Sequence, residues 1–242
     1  MSFCRKYFEG TDDRILMKWA HYYDIYEHEL ARYRDRPISF LEIGVFKGGS
    51  VPMWKAFLAE GSRLTFIDID PACAAHAEPG ATIEIGNQAD PDFLARIAQT
   101  YGPFDVVVDD GSHINTHQIK SFELLWPHIA DGGLYVVEDC HTSYWPGFGG
   151  GYRNEASFIE FAKRLIDRMH SWYTDQDEMF PFDSIAKELD SVRFFDSITM
   201  IEKRIKTGPP TLYIIENGRI EESTRPLKIR GRRSAFAGKD GS

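Results

Sequence analysis

The sequence predicts an α/β fold: a mostly parallel, doubly wound sheet that ends in an antiparallel hairpin. Two observations predict it. Apolar runs at 39–43, 63–69, 82–86, 104–109 and 133–138 alternate with helical segments at 49–59, 71–76, 91–101 and 115–129. Strands that alternate with helices pair in parallel, with the helices crossing over the sheet faces. After the glycines at 149–151 the alternation stops. There 192–195 and 198–201 flank a turn at Asp196 and Ser197, which predicts a hairpin added to the sheet edge.

In chain order, a helix is expected over Asp12 to Arg34, capped by Thr11 or Asp12. Along it Ile15, Trp19, Tyr22, Tyr23, Tyr26, Leu30 and Tyr33 recur at roughly helical spacing. This aromatic stripe has two readings: packing against the sheet domain or a second subunit, or a lid over an active site. A homo-oligomer is expected on the first of these grounds. Pro37 breaks the helix and the strand–helix alternation begins. Beyond it a long helix over 154–173 carries Phe158, Phe161, Leu165 and Met169, and a short segment at 181–189 precedes the hairpin. The chain thus divides into an N-terminal aromatic helical segment (1–37), a main domain (38–204) and a partly loose C-terminal extension (205–242).

A length of 242 residues with 43% hydrophobic content suits one large α/β domain, with or without a small appendage. The net charge of -9 argues against nucleic-acid binding, which needs a basic footprint. The locally basic stretch from Lys228 to Arg233 reads as a solvated, frayed terminus. Cys4, Cys73 and Cys140 show neither metal-ligand spacing nor the even count of a disulfide framework. Neither a signal peptide nor an apolar run of membrane-spanning length is found, so a cytoplasmic protein without membrane or nucleic-acid partners is expected.

Three acids carry the chemistry. Asp110 follows the apolar run ending at Asp109, and Glu138 and Asp139 follow the run ending at Val137. In an open α/β sheet, ligands bind beyond the carboxyl ends of the strands. Two neighbouring strand ends would gather three carboxylates around one point, and like charges that close require a cation between them. Oxygen ligands without cysteine favour a hard ion such as Mg²⁺. The loop after the first strand reads Glu42-Ile43-Gly44-Val45-Phe46-Lys47-Gly48-Gly49-Ser50. Its spacing is ExGxxxG rather than the GxGxxG of a dinucleotide loop, whose helix N-terminus takes a pyrophosphate. Glu42 at the strand end suits a cationic ligand instead, and S-adenosyl-L-methionine carries a sulfonium and an ammonium but no phosphate. Gly44, Gly48 and Ser50 would let the backbone approach it. Asp68, at the end of the second strand, fits ribose hydroxyls, whereas Asp70 precedes Pro71 and suits a helix cap. Asn87 and Gln88, at the end of the third strand, would meet an adenine edge. Asp109 either contacts the cofactor or only terminates its strand.

These residues resemble a known family. Asp24-Ile25-Tyr26-Glu27, Phe40 to Val45 with Gly48-Gly49-Ser50 and Met53-Trp54, Asp109-Asp110-Gly111-Ser112-His113, and Glu138-Asp139 with Thr142 to Trp145 are similar to the metal-dependent sugar O-methyltransferases of macrolide biosynthesis. The mycinamicin, tylosin and novobiocin pathways supply examples, and the resemblance spans roughly 12–204. It implies a Rossmann-like class I methyltransferase that requires S-adenosyl-L-methionine and Mg²⁺. It further implies Asp110, Glu138 and Asp139 as metal ligands and His113 as general base. The long N-terminal domain of some macrolide enzymes has no counterpart before the aromatic helix. The expected substrate is a small glycosylated molecule methylated on a sugar hydroxyl, with His141, Tyr144 and Trp145 near the acceptor. Plainer readings compete: His113 as a cap for the helix near Asn115, Glu138 and Asp139 as solvated loop acids, Tyr144 and Trp145 as core. At the level of function, the alternatives are a methyltransferase for catechol-like phenols and a non-catalytic cofactor-binding protein. A nicotinamide oxidoreductase is disfavoured by the missing GxGxxG.

Overall fold

The first strand, β1 (Ser39–Ile43), is buried along its whole length. Alternate side chains point to opposite faces of a strand. Phe40 therefore joins one apolar cluster and Leu41 and Ile43 the other. A strand buried on both faces belongs inside a parallel sheet. In the computed structural model, which describes residues 14–174 and 178–222, β1 pairs in parallel with β2 (Arg63–Asp68) and β4 (Phe104–Asp109). Among the described residues the main sheet has seven strands in the order β3-β2-β1-β4-β5-β7-β6, with β3 at Ala81–Ile85 and β5 at Ile129–Val137. The hairpin of β6 (Leu189–Phe194) and β7 (Thr199–Lys203) sits at the β5 edge, with β7 antiparallel to both neighbours. The expected fold class is the one observed.

Helices cover both faces. On one lie α1 (Ala20–Glu29), whose Tyr22 and Tyr26 are buried with Leu30 and Tyr33 just beyond it, and α2 (Ser50–Phe57), which adds Val51, Met53, Trp54 and Phe57. Tyr22, Tyr26, Leu30 and Tyr33 of the aromatic stripe therefore pack into this chain's own core, whereas Ile15 and Trp19 stay exposed. On the other face lie α3 (Pro91–Tyr101), α4 (Asn115–Leu125) and α5 (Phe158–Met169). The α3 start follows from Asp90, whose Oδ1 accepts the Asp92 and Phe93 N–H groups, with Pro91 at the first helical position. The segment at 71–76 is a 3₁₀ turn in which Asp70 accepts the Ala72 N–H, the cap its place before Pro71 suggests.

The helix expected over 154–173 runs only over Phe158–Met169, started by the Ser157 cap, and three further elements depart from expectation. The helix expected from Asp12 begins only at Ala20; the described residues before it run extended, and Ile15 bridges to Gly48. Contact with the glycine loop and the acids beyond overrides local helical preference there. The helix expected over 115–129 stops at Leu125, because Pro127 turns the chain into a 3₁₀ segment. An exposed hairpin, β8 (Tyr213–Glu216) with β9 (Arg219–Glu222), lies in the C-terminal extension; a short α6 (Ser184–Glu188) falls within 181–189. Cys4, the expected caps Thr11 and Asp12, and the basic stretch at 228–233 lie outside the described residues. No helix among the described residues is long and apolar enough to cross a membrane.

Candidate active site

The register of β1, β4 and β5 brings their carboxyl ends level: Ile43 pairs with Asp109 and Asp109 with Val137. The next residues, Gly44, Asp110 and Glu138, therefore lie side by side, with Asp110 N–H on the Ile43 carbonyl at 2.9 Å and Glu138 N–H on the Asp109 carbonyl at 2.9 Å. Gly44 is required by this closeness. Its φ is +102°, and a Cβ on it would lie 2.1 Å from the Asp110 carbonyl oxygen. Gly44→Ala is expected to cost on the order of 3 kcal/mol and to displace Asp110; an unchanged denaturation midpoint would contradict this packing.

Four acids and one lysine form the centre. Lys18, whose side chain is fully buried, donates to Asp110 Oδ2 at 2.8 Å and to Glu138 Oε1 at 2.5 Å, and lies 3.8 Å from Glu42 Oε1. Tyr26 also donates to Glu138, and Tyr22 donates to Asp139 Oδ1 at 2.7 Å. Lys18, Tyr22 and Tyr26 are spaced four residues apart. The two tyrosines share one face of α1, which turns their hydroxyls toward neighbouring strand ends. Burial works against the Lys18 charge, but Asp110, Glu138 and Glu42 together outweigh it and raise its pKa well above the usual lysine value.

Glu42 within this centre and Asp109 beside it are fully buried acids. Glu42 accepts from Ser50 Oγ at 2.5 Å and Trp54 Nε1 at 2.9 Å. Burial pushes its carboxyl up to about 7, against the pull of Lys18. Asp109 is pushed up to about 6 by burial, against the hydrogen bond from Gln88. Glu138 is raised by burial and by Asp110, with Lys18 opposing. All three hold a proton to higher pH in the folded state than in the unfolded chain. The stability they contribute is complete below about pH 4 and is lost as pH rises through about 6 to 8. The EDTA-treated protein should therefore show a falling melting temperature between about pH 5 and 8, Glu42 alone amounting to roughly 3 kcal/mol. A flat or rising profile would contradict the burial of these acids.

Among the described residues, metal-binding side chains close to within 4.8 Å of one another form two sets that share Asp110: Asp110, His113 and Asp139, and Glu42, Asp110 and Glu138. The three expected ligands thus divide. Lys18 draws Glu138 inward, while Asp139 turns outward on a left-handed backbone (φ 53°, ψ 36°). His113 is also left-handed (φ 56°), and its Nε2 lies 3.5 Å from Asp139 Oδ2. Two non-glycine residues in this costly region within one site mark a geometry the surroundings impose. The chemistry of the outer set, two carboxylates and an imidazole facing a cavity, fits a divalent cation. The Lys18 ammonium already stands against the inner carboxylates as a cation.

The cavity has a volume of about 1030 Å³. Of the residues expected at a cofactor, Gly44, Ser50, Asp68, Asn87 and Gln88 border it; Glu42, Gly48 and Asp109 do not. The period of β1 sends Glu42 down against Trp54, and Asp109 points beneath Gln88 and Tyr135. Gly48 instead clears space for His76, 2.4 Å from where its Cβ would be. Asp68 shapes the loop as well: its Oδ2 accepts the Val45 and Phe46 N–H groups at 2.8 and 3.1 Å. Gln88 holds the turn after β4 by donating to Asp109 and accepting the Ser112 N–H at 2.7 Å. Near Asp139, His141 borders the cavity and packs edge-on against Trp19 and Trp145, with centroids 5.8 and 4.7 Å away. Trp145 and Tyr144 are about half exposed, and Tyr144 borders a second, smaller cavity shared with His141. Lys18, Tyr22 and Tyr26 were not singled out by sequence as site residues. The signal that could have found them is a Lys-x3-Tyr-x3-Tyr run, three polar tips at helical spacing in an otherwise apolar stripe.

Residues 41–140 match the methyltransferase-domain family. This match, the strand order and an acid-lined cleft beyond β1, β4 and β5 define a class I methyltransferase domain. The 8-demethyl-8-alpha-L-rhamnosyl tetracenomycin-C 2'-O-methyltransferase of Streptomyces olivaceus is 37% identical over 201 residues, which is 79% of this chain and 53% of that protein. The mycinamicin VI 2''-O-methyltransferase of Micromonospora griseorubida is 37% identical over 74% of this chain and 47% of its own length. A solved structure of MycE, a methyltransferase from the mycinamycin biosynthetic pathway in complex with Mg and SAH, superposes with a TM-score of 0.74 at 34% identity, over 83% of this chain and 53% of that one. Over about three quarters or more of its length the chain is similar to sugar O-methyltransferases of antibiotic pathways. It spans about half the length of the curated relatives it matches.

Proposed function

We propose that the chain is an S-adenosyl-L-methionine- and Mg²⁺-dependent O-methyltransferase acting on a sugar hydroxyl of a small glycosylated natural product. The observation that carries this reading is that the outer set of Asp110, Asp139 and His113 lines the same cavity as the Gly44 loop and Asp68. The relatives and the Mg- and SAH-bound MycE support it. Asp110 and Asp139, with Glu138 behind them, would hold Mg²⁺, which when bound supplies Lewis acidity toward vicinal hydroxyls.

The chain's own residues do the rest. With its Oδ2 taken by the loop N–H groups and its Oδ1 accepting the Asp70 N–H at 2.9 Å, Asp68 keeps a lone pair on Oδ1 for a ribose hydroxyl. Asn87 and Gln88 border the adenine end, and the bare Gly44 backbone lets the cofactor approach. His113 takes the hydroxyl proton at Nε2, and Asp139 Oδ2 at 3.5 Å stabilises the resulting imidazolium. Holding the hydroxyl and the methyl donor in one cleft supplies much of the remaining rate. Trp19, His141 and Trp145 give the mouth an aromatic wall suited to a sugar face. The buried free thiols Cys73 and Cys140 fit a reducing cytoplasmic setting.

The test is methyl transfer from labelled S-adenosyl-L-methionine to a panel of rhamnosylated aglycones, free sugars and catechols, with Mg²⁺ or with EDTA. Magnesium-dependent methylation of a glycosylated acceptor is expected. Preference for catechol would replace the sugar reading, and failure to bind S-adenosyl-L-methionine would end it.

A further inference from the structure

A lysine side chain with no exposed surface is costly unless anions surround it. Lys18 meets that condition with acids from three strands: Asp110 after β4, Glu138 after β5 and Glu42 in β1. It comes from an extended segment that belongs to no strand or helix of the sheet domain. That segment borders the cavity along residues 15–19, together with Asp68 to Asp70 and the 44–47 loop. Its backbone lies directly on the glycine loop: Ile15 bridges to Gly48, and a Cβ on Gly49 would come within 2.7 Å of the Ile15 carbonyl. Its own apolar side chains hold it weakly. Leu16 packs partly on the core, but Ile15, Met17 and Trp19 are 54%, 70% and 54% exposed. The deepest anchor is the Lys18 ammonium.

We propose that Lys18 is a positioning residue that latches residues 15–19 across the cofactor cleft by seating its ammonium among Asp110, Glu138 and Glu42. The part of this that concerns cofactor release rests on the function proposed above. The latch ties enclosure of the cleft to the carboxylates that face the metal. A ligand beneath the segment leaves only after the ammonium has withdrawn from them. Asp139 and the side of Asp110 facing His113 stay open to the cavity.

The experiment compares wild type with Lys18→Met, which keeps the length of the side chain and removes its charge, with EDTA present throughout. Two quantities are read: amide hydrogen exchange of a peptide spanning 14–19 in the cofactor-free protein, and the dissociation rate of S-adenosyl-L-methionine in a stopped-flow chase. Both should rise by about tenfold or more in the variant, while exchange in β1 and β4 stays unchanged. If Lys18→Met does not fold, the pair Lys18→Met with Glu138→Gln removes one cation and one anion together and takes its place. Exchange and release both within about twofold of wild type would overturn the latch. Faster exchange with unchanged release would overturn its hold on the cofactor. A wild type that binds no S-adenosyl-L-methionine would refute the proposed function instead, and the exchange comparison alone would then decide the latch.

Discussion

Replacing His113 by alanine should lower kcat by about 10²–10⁴ while S-adenosyl-L-methionine binds within a few-fold of wild type. This is the loss expected when a positioned general base is removed, about 3–5 kcal/mol of barrier. The geometry favours this role over a helix cap. Ile114, not His113, occupies the cap position of α4, and no side chain caps that helix. His113 instead bends into the left-handed region and turns its Nε2 toward Asp139. Because φ is 56° there, alanine adds backbone strain to the loss of the ring. His113→Asn separates the two effects, since asparagine tolerates this conformation. Both variants should fail in single-turnover methyl transfer with cofactor affinity preserved, measured by calorimetry. Full activity in His113→Asn would remove His113 as the base.

The sheet was legible because its strands are buried on both faces and announce themselves as continuous apolar runs. Phe104 to Asp109 is bounded by Gly102-Pro103 on one side and acids on the other, and its observed ends match those expected. The position of Asp110 followed from the rule that ligands gather beyond strand ends, and that rule needs no knowledge of side-chain direction. Direction is where the sequence reading stopped. Whether Glu42 faces the cleft or the core depends on the phase of β1 relative to a helix far along the chain, and Trp54 and Ser50 claim its carboxylate. The start of the first helix was also hidden. Residues 15–19 carry helical spacing, but Lys18 gains more from its carboxylate partners than from helical hydrogen bonds, and two of them, Asp110 and Glu138, lie 92 and 120 residues away in sequence. The outward turn of Asp139 depends on a left-handed backbone that its residue type tolerates but does not announce.

Asp110→Asn should weaken Mg²⁺ or Mn²⁺ binding by more than about 100-fold, given that loss of mere supporting residues costs 10–100-fold. Methyl transfer should fall with it and recover little at high Mg²⁺. Asp110 is singled out because it belongs to both sets of metal-binding side chains, accepts from Lys18 and stands beside His113. Its neutralisation removes charge from the outer set and leaves Lys18 bound to Glu138 and Glu42 alone. Asp139→Asn should act differently. It removes the other outer carboxylate and the anion beside His113 Nε2 while leaving the lysine and its inner acids untouched. Metal affinity should fall in both variants, but only Asp110→Asn should also speed exchange in residues 15–19. Calorimetric metal titration and activity against Mg²⁺ concentration check the first part, and the exchange rate checks the second. Wild-type activity that persists unchanged in EDTA would sink the metal mechanism and leave Asp110 as no more than the seat of the lysine.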